Sequence, residues 1–224
     1  MPKISASAQH ARRERILDHA ERCFARAGFH RTTMQDICKA AEISPGAIYT
    51  YFDSKEALIA GLIERDRAKL QGQFAGLAQA PDFMAALAGL AEHYTVEEPD
   101  YKRALFIEMG AESTRNPQVA ETMRSCDSFV RDSFIALLTR LAAEDRIRPS
   151  AEIEVVVGLM LLMGDGLLWR RAVDPGFDAR TMLPALMAVI APLVNPVPQL
   201  PHAPARQATA PAPAAAPRIA GESV

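Results

Sequence analysis

The sequence has few aromatic residues, few cysteines and no long uninterrupted hydrophobic run. Aromatic residues make up 6% of the 224 residues, while alanine and leucine are frequent, a mixture that favours helices. No basic start followed by an apolar stretch and a cleavage site is visible, so we see no secretory signal. The most apolar run, Val155–Trp169, contains Asp165 and is shorter than the roughly 20 residues that span a membrane. We therefore expect a cytoplasmic chain without membrane contact.

The motifs of enzymes and metal sites are also missing. There is no Ser-His-Asp arrangement, no glycine-rich phosphate loop and no pair of metal-ligand motifs, so we expect neither an enzyme nor a cofactor. The three cysteines, Cys23, Cys38 and Cys126, lack ligand spacing and fall within helical patterns, which predicts reduced core thiols. A redox-responsive regulator that uses one of them remains an alternative.

Charge alone does not indicate a nucleic-acid partner. The net charge is −2, and residues 1–56 carry nine Lys and Arg against seven Asp and Glu. A surplus of two positive charges is too small to identify a DNA-binding region, so the assignment depends on the residue pattern.

The pattern is helical throughout, with apolar residues at helical spacing and recognisable caps. We predict a first helix over about residues 10–27 that ends at Gly28, and a short helix from the Thr33 cap to about Ala41. Ser44 and Pro45 begin a second short helix, and an Asp53–Glu56 capping box opens a longer helix to about Ala80. Proline-containing breaks divide the remainder into about five helices, which gives an all-α fold of about nine helices.

Four regions follow from these signals. Residues 1–9 are predicted to be a flexible N-terminus, residues 10–56 a helix-turn-helix domain, and residues 57–194 a helical ligand-binding and dimerisation domain. Residues 195–224 are rich in proline and alanine, with few large hydrophobic residues, and are predicted to be a disordered tail.

The two short helices have the dimensions of a helix-turn-helix. Their apolar residues are spaced to face a shared core, which leaves the second short helix with a tip of small residues and two tyrosines. Small residues allow close approach to a groove floor, and tyrosine hydroxyls and Lys55 can reach phosphate oxygens. Two alternatives remain open: Tyr49 and Tyr51 could be half-buried core aromatics, and helix-turn-helix shapes also occur in proteins that do not bind DNA.

The segment from Arg12 to Ile59 closely resembles the N-terminal domain of the TetR family of bacterial transcriptional regulators. The matching positions are Ile16-Leu17, Phe24-Ala25, Gly28-Phe29, Thr32-Thr33, Ile37, Ala40-Ala41, Ser44, Gly46, Tyr49, Tyr51-Phe52 and Ser54-Lys55-Glu56. Cys38 and Glu42 depart from the usual small residue and glycine, so position 42 requires either a turn that tolerates a left-handed residue or a slightly different turn. The resemblance implies that DNA is contacted by Thr33, Gln35, Ser44, Pro45, Gly46, Ala47, Tyr49, Tyr51 and Lys55.

The resemblance also implies that the remaining helices form an effector pocket and a dimer interface. The last two helices are apolar around most of their circumference, more than a monomer core requires, although a large monomer core is the alternative. A homodimer would present two recognition helices to a palindromic DNA operator.

Candidate pocket residues are polar or aromatic residues within apolar runs and the methionines near them. They are His93, Tyr94, Phe106, Glu108, Met109, Glu112, Met160, Met163, Asp165 and Trp169. Glu108 and Asp165 could act as counter-charges for a cationic ligand. Alternatively, Glu108 pairs with Arg103 or Arg115, Asp165 pairs with Arg170 or Arg171, and the methionines are ordinary core.

The sequence thus predicts a ligand-responsive transcriptional repressor that a small-molecule effector releases from DNA. The resemblance makes efflux or catabolic genes plausible targets. A helical ligand carrier or adaptor that does not bind DNA is the alternative from another class.

Overall fold

The computed structural model describes residues 5–197, and within them the chain forms nine α-helices and one π-helical turn. Within this range no strand forms, and one antiparallel bridge pairs Ile147 with Pro196. The all-α prediction is therefore confirmed. The elements are α1 (Ala6–Ala27), α2 (Met34–Ala41), α3 (Pro45–Ile48), α4 (Lys55–Gln79), α5 (Phe83–Glu92), the π turn (His93–Glu97), α6 (Asp100–Ser113), α7 (Pro117–Ala143), α8 (Ile153–Val173) and α9 (Ala179–Val194).

Helix α1 begins before the predicted residue His10. The Ser5 hydroxyl accepts a hydrogen bond from the Ala8 N–H at 3.2 Å and so caps the helix upstream. Residues 6–9, predicted to be flexible, therefore belong to α1. The helix ends at Gly28 as predicted, where φ is +80°, a value that favours glycine.

The cap of α4 is Ser54, one residue later than predicted. Its hydroxyl accepts the Ala57 N–H at 3.0 Å, and so the Asp53–Glu56 capping box predicted from the sequence was wrong. Serine and aspartate are equally good caps, and here they are neighbours, so the pattern could not choose between them.

Helix α4 takes part in both main hydrophobic cores. Its first half, with Leu58 and Leu62, packs with α1, α2 and α3, and also with Leu105 of α6. Its second half, with Phe74, packs with α5, α7, α8 and α9. The first core thus crosses the predicted boundary between residues 56 and 57. A shift of α4 would change the packing of both cores.

The end of α9 is joined to the loop that follows α7. The Arg148 N–H donates to the Asn195 carbonyl at 2.9 Å, and the Val197 N–H donates to the Arg146 carbonyl at 2.8 Å. Asn195–Val197, predicted to be the start of the disordered tail, therefore pair with the folded body. The rest of that predicted tail, residues 198–224, lies outside the described residues.

Candidate nucleic-acid interface and cavity

A capping box fixes the start of α2. The Thr33 hydroxyl accepts the Asp36 N–H at 3.1 Å, and the Asp36 carboxylate accepts the Thr33 N–H at 3.0 Å, as the sequence predicts. These Thr33 groups also hold the pKa of Asp36 below its usual value. The cap therefore uses the polar groups that the sequence assigned to phosphate contact, although Thr33 itself is exposed.

The turn between α2 and α3 depends on a left-handed residue. Glu42 has φ 55° and ψ 47°, so a non-glycine residue occupies this conformation, as the sequence required. The following Ile43 N–H donates to the Cys38 carbonyl at 3.0 Å, which closes the end of α2. The turn sets the angle at which α3 leaves α2.

Helix α3 is one turn long and is anchored from beneath. Ser44 caps it by accepting the Ala47 N–H at 3.3 Å, and Pro45 fills the first helical position. Ile48 is fully buried and Phe52 is 5% exposed, which fixes the helix on the first core. Its outward tip is consequently formed by Ser44, Pro45 and Gly46, all exposed.

The predicted DNA-contact residues differ in accessibility. Gln35 is exposed, Tyr49 is 55% exposed, and no heavy atom lies within 4 Å of where a Gly46 side chain would begin. Ala47 is only partly accessible, and Tyr51 packs against the first core. Of the two tyrosines, Tyr49 is therefore better placed to reach a partner, while Tyr51 matches the half-buried alternative.

Lys55 is engaged within the chain. Its ammonium group donates to the Phe29 carbonyl at 2.6 Å and lies 4.3 Å from the centre of the Phe29 ring. The sequence assigned this lysine to a phosphate. The carbonyl that it binds is 26 residues away in the chain, so no local spacing indicated this contact. Here it ties the start of α4 to the loop after α1.

Exposed basic residues on α1 and α2 flank this surface and were not singled out from the sequence. Arg22 and Arg26, four residues apart, are both exposed on α1, and Lys39 is exposed on α2. Arg26 and Lys39 share a surface groove with Asp36. The spacing of the two arginines was the signal that could have identified them.

Glu108 and Glu112, both predicted pocket residues, lie instead on the face of α6 that contacts the loop after α1. The Phe29 N–H donates to Glu108 Oε1 at 2.6 Å, and the same oxygen would be 2.9 Å from a Cβ added at Gly28. Glu112 is 1% exposed, and its carboxylate lies 2.8 Å from His30 Nε2 and 3.0 Å from Arg115 Nε. Both carboxylates therefore hold α6 against the N-terminal helices.

A cavity of about 220 Å³ lies between α4, α6 and α7. Of the ten predicted pocket residues, Tyr94, Phe106 and Met109 line it. Most of the remaining wall is apolar, formed by Ile59, Leu62, Ile63, Leu105, Met123, Cys126 and Leu168. The cavity therefore suits a ligand with an apolar body.

The other predicted pocket residues lie elsewhere. Met160 and Met163 belong to the second core, matching the alternative that they are ordinary core. Trp169 is 53% exposed, and His93 is at the surface, 3.1 Å from Glu97. Asp165 is exposed on α8.

The ion pairs predicted for these acids are also wrong. Among the described residues, Arg170 pairs with Asp174 at 3.2 Å and Arg171 lies 3.8 Å from Asp100, so neither pairs with Asp165. Arg103 contacts Asp100, and Arg115 pairs with Glu112, so neither pairs with Glu108. Three of these four arginines pair with an acid three or four residues away, and Arg171 contacts an acid that is distant in the chain.

One end of the cavity is charged. Lys102 Nζ lies 3.3 Å from Glu98, 3.5 Å from Glu21 and 3.7 Å from Asp66. Although burial favours the neutral amine, these three carboxylates raise the pKa of Lys102 above its usual value. Burial, with the nearby acids Glu98 and Asp66, raises the pKa of Tyr94 to about 12, so its hydroxyl stays protonated and donates to Gln73 at 2.6 Å.

The charged end continues into α1 through Arg65. This side chain of α4 is 10% exposed, and it pairs with Glu21 at 2.8 Å and Asp18 at 2.6 Å. Glu21 is 4% exposed and also lines the cavity. An acid of the first helix thus forms part of the cavity wall, which the sequence did not indicate.

An apolar stripe runs along α8. Its exposed apolar residues are Val155, Leu159, Leu162, Trp169 and Val173, and Leu162 is 70% exposed. Together with Gly166 they recur every three or four residues. Met182 and Val189 of α9 add to the exposed apolar side chains.

In the part of the chain that is described, no helix is long and apolar enough to cross a membrane.

The cysteines have the character of core residues. Cys23 and Cys38 are buried, and burial raises the pKa of both thiols. The pKa of Cys126 is raised by burial and by Asp66 and Asp127. Raised pKa values reduce the thiolate fraction that reacts with oxidants, which disfavours the redox alternative.

Residues 5–197 contain no cluster of three or more potential metal ligands.

Comparison with known proteins agrees with this geometry. The family model described as "Bacterial regulatory proteins, tetR family" matches residues 16–62, which contain most of α1, all of α2 and α3, and the start of α4. The chain is 34% identical over 157 residues to the HTH-type transcriptional regulator UidR of Escherichia coli (strain K12), covering 70% of this chain and 79% of that protein. It is 31% identical over 183 residues to the HTH-type transcriptional repressor Rv1474c of Mycobacterium tuberculosis, covering 77% and 88%.

The likeness extends over the whole fold. The structure of Salmonella enterica GusR superposes with a TM-score of 0.73 and 31% sequence identity, covering 87% of this chain and 100% of that one. The agreement therefore includes the helices that form the cavity as well as the helix-turn-helix. On these grounds the chain belongs to the TetR family of bacterial transcriptional regulators.

Proposed function

We propose that the protein is a dimeric repressor that binds a palindromic operator through α3 and is released by a small molecule in the cavity. The observation that carries this proposal is the exposed tip Ser44–Gly46, held on the buried anchors Ile48 and Phe52 with Tyr49 beside it. The chain belongs to a family of transcriptional regulators, so it is a regulator and not an enzyme, as the sequence predicts.

The tip is suited to the major groove. Because Gly46 has no neighbour within 4 Å, the backbone can approach base edges closely, and Ala47 offers a methyl group for a thymine methyl. Tyr49 and Gln35 then lie where phosphates flank the groove. Arg26 and Lys39, which share a surface groove, add positive charge on α1 and α2.

The apolar stripe of α8 supports a homodimer. Six positions at spacings of three and four residues, Val155, Leu159, Leu162, Gly166, Trp169 and Val173, lie on one face of the helix. A second copy of the same face would remove it from water, and α9 would widen the contact. Two-fold symmetry then places two copies of α3 about 34–36 Å apart, one turn of DNA.

Release follows from the position of α4. This helix lines the cavity with Ile59 and Asp66 and also belongs to the core beneath α3. A ligand that displaces α4 changes the separation of the two tips. A coupling of about 1–3 kcal/mol would weaken operator binding roughly 5- to 150-fold. The similar protein Rv1474c is a transcriptional repressor, which favours repression over activation here.

The test is selection of genomic DNA fragments by the purified protein, followed by sequencing, with a matched pair of glycine variants. Gly46→Glu places a negative charge at the tip, whereas Gly72→Glu places the same charge on α4. Neither position has a heavy atom within 4 Å, so both variants should fold. We expect the wild type and Gly72→Glu to enrich the same palindromes and Gly46→Glu to enrich none. Equal enrichment by both variants would contradict the role of α3, and no enrichment by the wild type would favour a carrier or adaptor.

A further inference from the structure

We propose that the effector of this cavity is an amphiphilic amine, with an apolar body and one cationic nitrogen that Asp66 binds. The inference rests on the proposed function in so far as it treats the cavity as the effector site. It replaces Glu108 and Asp165, the counter-charges considered from the sequence, with an acid that lines the cavity.

The walls define the apolar body of the ligand. Ten of the fifteen lining residues are aliphatic, aromatic or sulfur-containing side chains without formal charge, Phe106 and Met109 among them. Removing an apolar ligand from water against such walls is favourable at roughly 25 cal/mol per Å². A volume near 220 Å³ limits the body to a small aromatic or short aliphatic group.

The charged end defines the sign of the polar group. Three carboxylates, Glu21, Asp66 and Glu98, line the cavity with two basic residues, Lys102 and Arg103. Arg103 is engaged with Asp100 and the Glu98 carbonyl. Lys102 is shared by all three carboxylates, while Arg65 also pairs with Glu21 and Lys69 lies near Asp66. The sign of the ligand therefore depends on which acid keeps a free acceptor oxygen.

Asp66 is the acid with unused capacity. Its Oδ1 atom is buried and has no hydrogen-bond partner within the described residues, with Lys69 and Lys102 each 3.7 Å away, whereas the side chain as a whole is 41% exposed. Glu21, by contrast, is held by Arg65 at 2.8 Å. A buried acceptor without a donor is costly, so a ligand N–H that reaches Asp66 gains a charge-assisted bond and satisfies this atom.

The site also has a direct connection to the helix-turn-helix. An ammonium group at Asp66 repels Lys102, whose other partners include Glu21 of α1 at 3.5 Å. Binding of the amine would thus weaken a contact between α6 and α1. An uncharged ligand of the same shape would leave this contact in place.

The experiment uses three probes that share one apolar body: 4-phenylbutylamine, 4-phenylbutanol and 4-phenylbutyrate, titrated calorimetrically into the full chain at neutral pH. We expect the amine to bind tightest and the carboxylate weakest. In Asp66→Asn the affinity for the amine should fall about tenfold, while that for the alcohol stays the same. Asp132→Asn, on the exposed surface of α7, is the matched control and should change none of the three.

Each other outcome overturns the proposal. It fails if the carboxylate binds as tightly as the amine, if Asp66→Asn weakens all probes equally, or if none of the three binds. Should Asp66→Asn unfold, Asp66→Ser provides the same comparison at the same position. The result is independent of the DNA selection: amine preference without operator binding would contradict only the repressor, and operator binding without amine preference would contradict only this inference.

Discussion

Several polar side chains that were assigned to DNA or ligand from the sequence are used to hold the fold together. Thr33 caps α2, Lys55 binds the Phe29 carbonyl, and Glu108 accepts the Phe29 N–H. The residues left free for a partner are small or weakly packed ones such as Gly46 and Tyr49. Substitutions at Thr33, Lys55 or Glu108 should therefore lower stability, whereas substitutions at Gly46 or Tyr49 should affect binding.

We expect Thr33→Val to destabilise the protein by about 1 kcal/mol at pH 7, because it removes the N-cap of α2. The cap holds the pKa of Asp36 below its ordinary 3.8, so its electrostatic contribution is complete above that value and is lost as the pH falls below it. The difference between variant and wild type should therefore shrink in acid. Urea unfolding at pH 7 and pH 3 measures this, with Thr122→Val, on the exposed side of α7, as control. A difference that does not change with pH would contradict the role of Asp36.

Lys55→Met should lower stability by about 2 kcal/mol, because a charged hydrogen bond is lost. We expect the slope of operator affinity against salt concentration to stay unchanged, since the ammonium group already donates to the Phe29 carbonyl. Lys39→Met, at an exposed lysine of α2, provides the control for stability. Unaltered melting together with a salt slope lower by about one would restore the phosphate contact predicted from the sequence.

At the scale of elements, α6 connects the cavity with the helix-turn-helix. One face carries the cavity residues Lys102, Phe106 and Met109, and another carries Glu108 and Glu112, which hold the loop after α1. Helix α4 forms a second connection through its two cores. A ligand that shifts either helix would therefore alter the position of α3.

The contact between Gly28 and Glu108 can be tested with a double-mutant cycle. Gly28→Ala should cost about 1–3 kcal/mol, because the backbone at φ +80° is a conformation that side chains rarely adopt, and the new methyl would meet Glu108 Oε1 at 2.9 Å. Glu108→Ala should also destabilise, by about 1–3 kcal/mol, because it leaves the Phe29 N–H without its acceptor.

Together the two substitutions should cost less than their sum, since removing Glu108 removes the obstacle to the methyl. Chemical unfolding of the four proteins measures the coupling. Glu121→Ala, at an exposed position of α7, should stay within about 0.5 kcal/mol of the wild type. Simple additivity would show that the strain lies in the backbone of Gly28 alone.

For the whole molecule, the proposed two-fold arrangement would decide whether two α3 helices can bind DNA together. The stripe on α8 is the surface most in need of a partner, with Leu162 its most exposed apolar residue. A monomer would leave this face in water and would present a single α3, so its operator affinity would be low.

Leu162→Glu is therefore expected to convert the dimer to a monomer and to lower operator affinity by more than tenfold, since a buried charge in the interface is costly. Sedimentation velocity and a DNA titration give the two readouts. Ala75→Glu, on the exposed side of α4, is the control and should remain dimeric. A dimer that persists in Leu162→Glu would place the interface elsewhere.

Local chemistry in the sequence determined the helices and most of their ends. The Thr33 and Ser44 caps, Pro45 at the first turn and the left-handed residue at position 42 depend on neighbours within a few residues, so they could be predicted. Where two good caps adjoin, as at Asp53 and Ser54, local rules could not decide. The small-residue tip of α3 was predictable for the same reason, because apolar spacing alone shows which side is buried.

Only the tertiary structure decided which helix covers each polar face. Periodicity places Asp66 on the same side of α4 as Ile59 and Ile63, and Glu108 three residues after Leu105, but it does not show which neighbour lies opposite. Glu108 accepts a hydrogen bond from the loop after α1. Asp66 lines the cavity together with Glu21, which is 45 residues earlier in the chain. Such contacts depend on how helices distant in sequence pack, and no spacing within one helix encodes them.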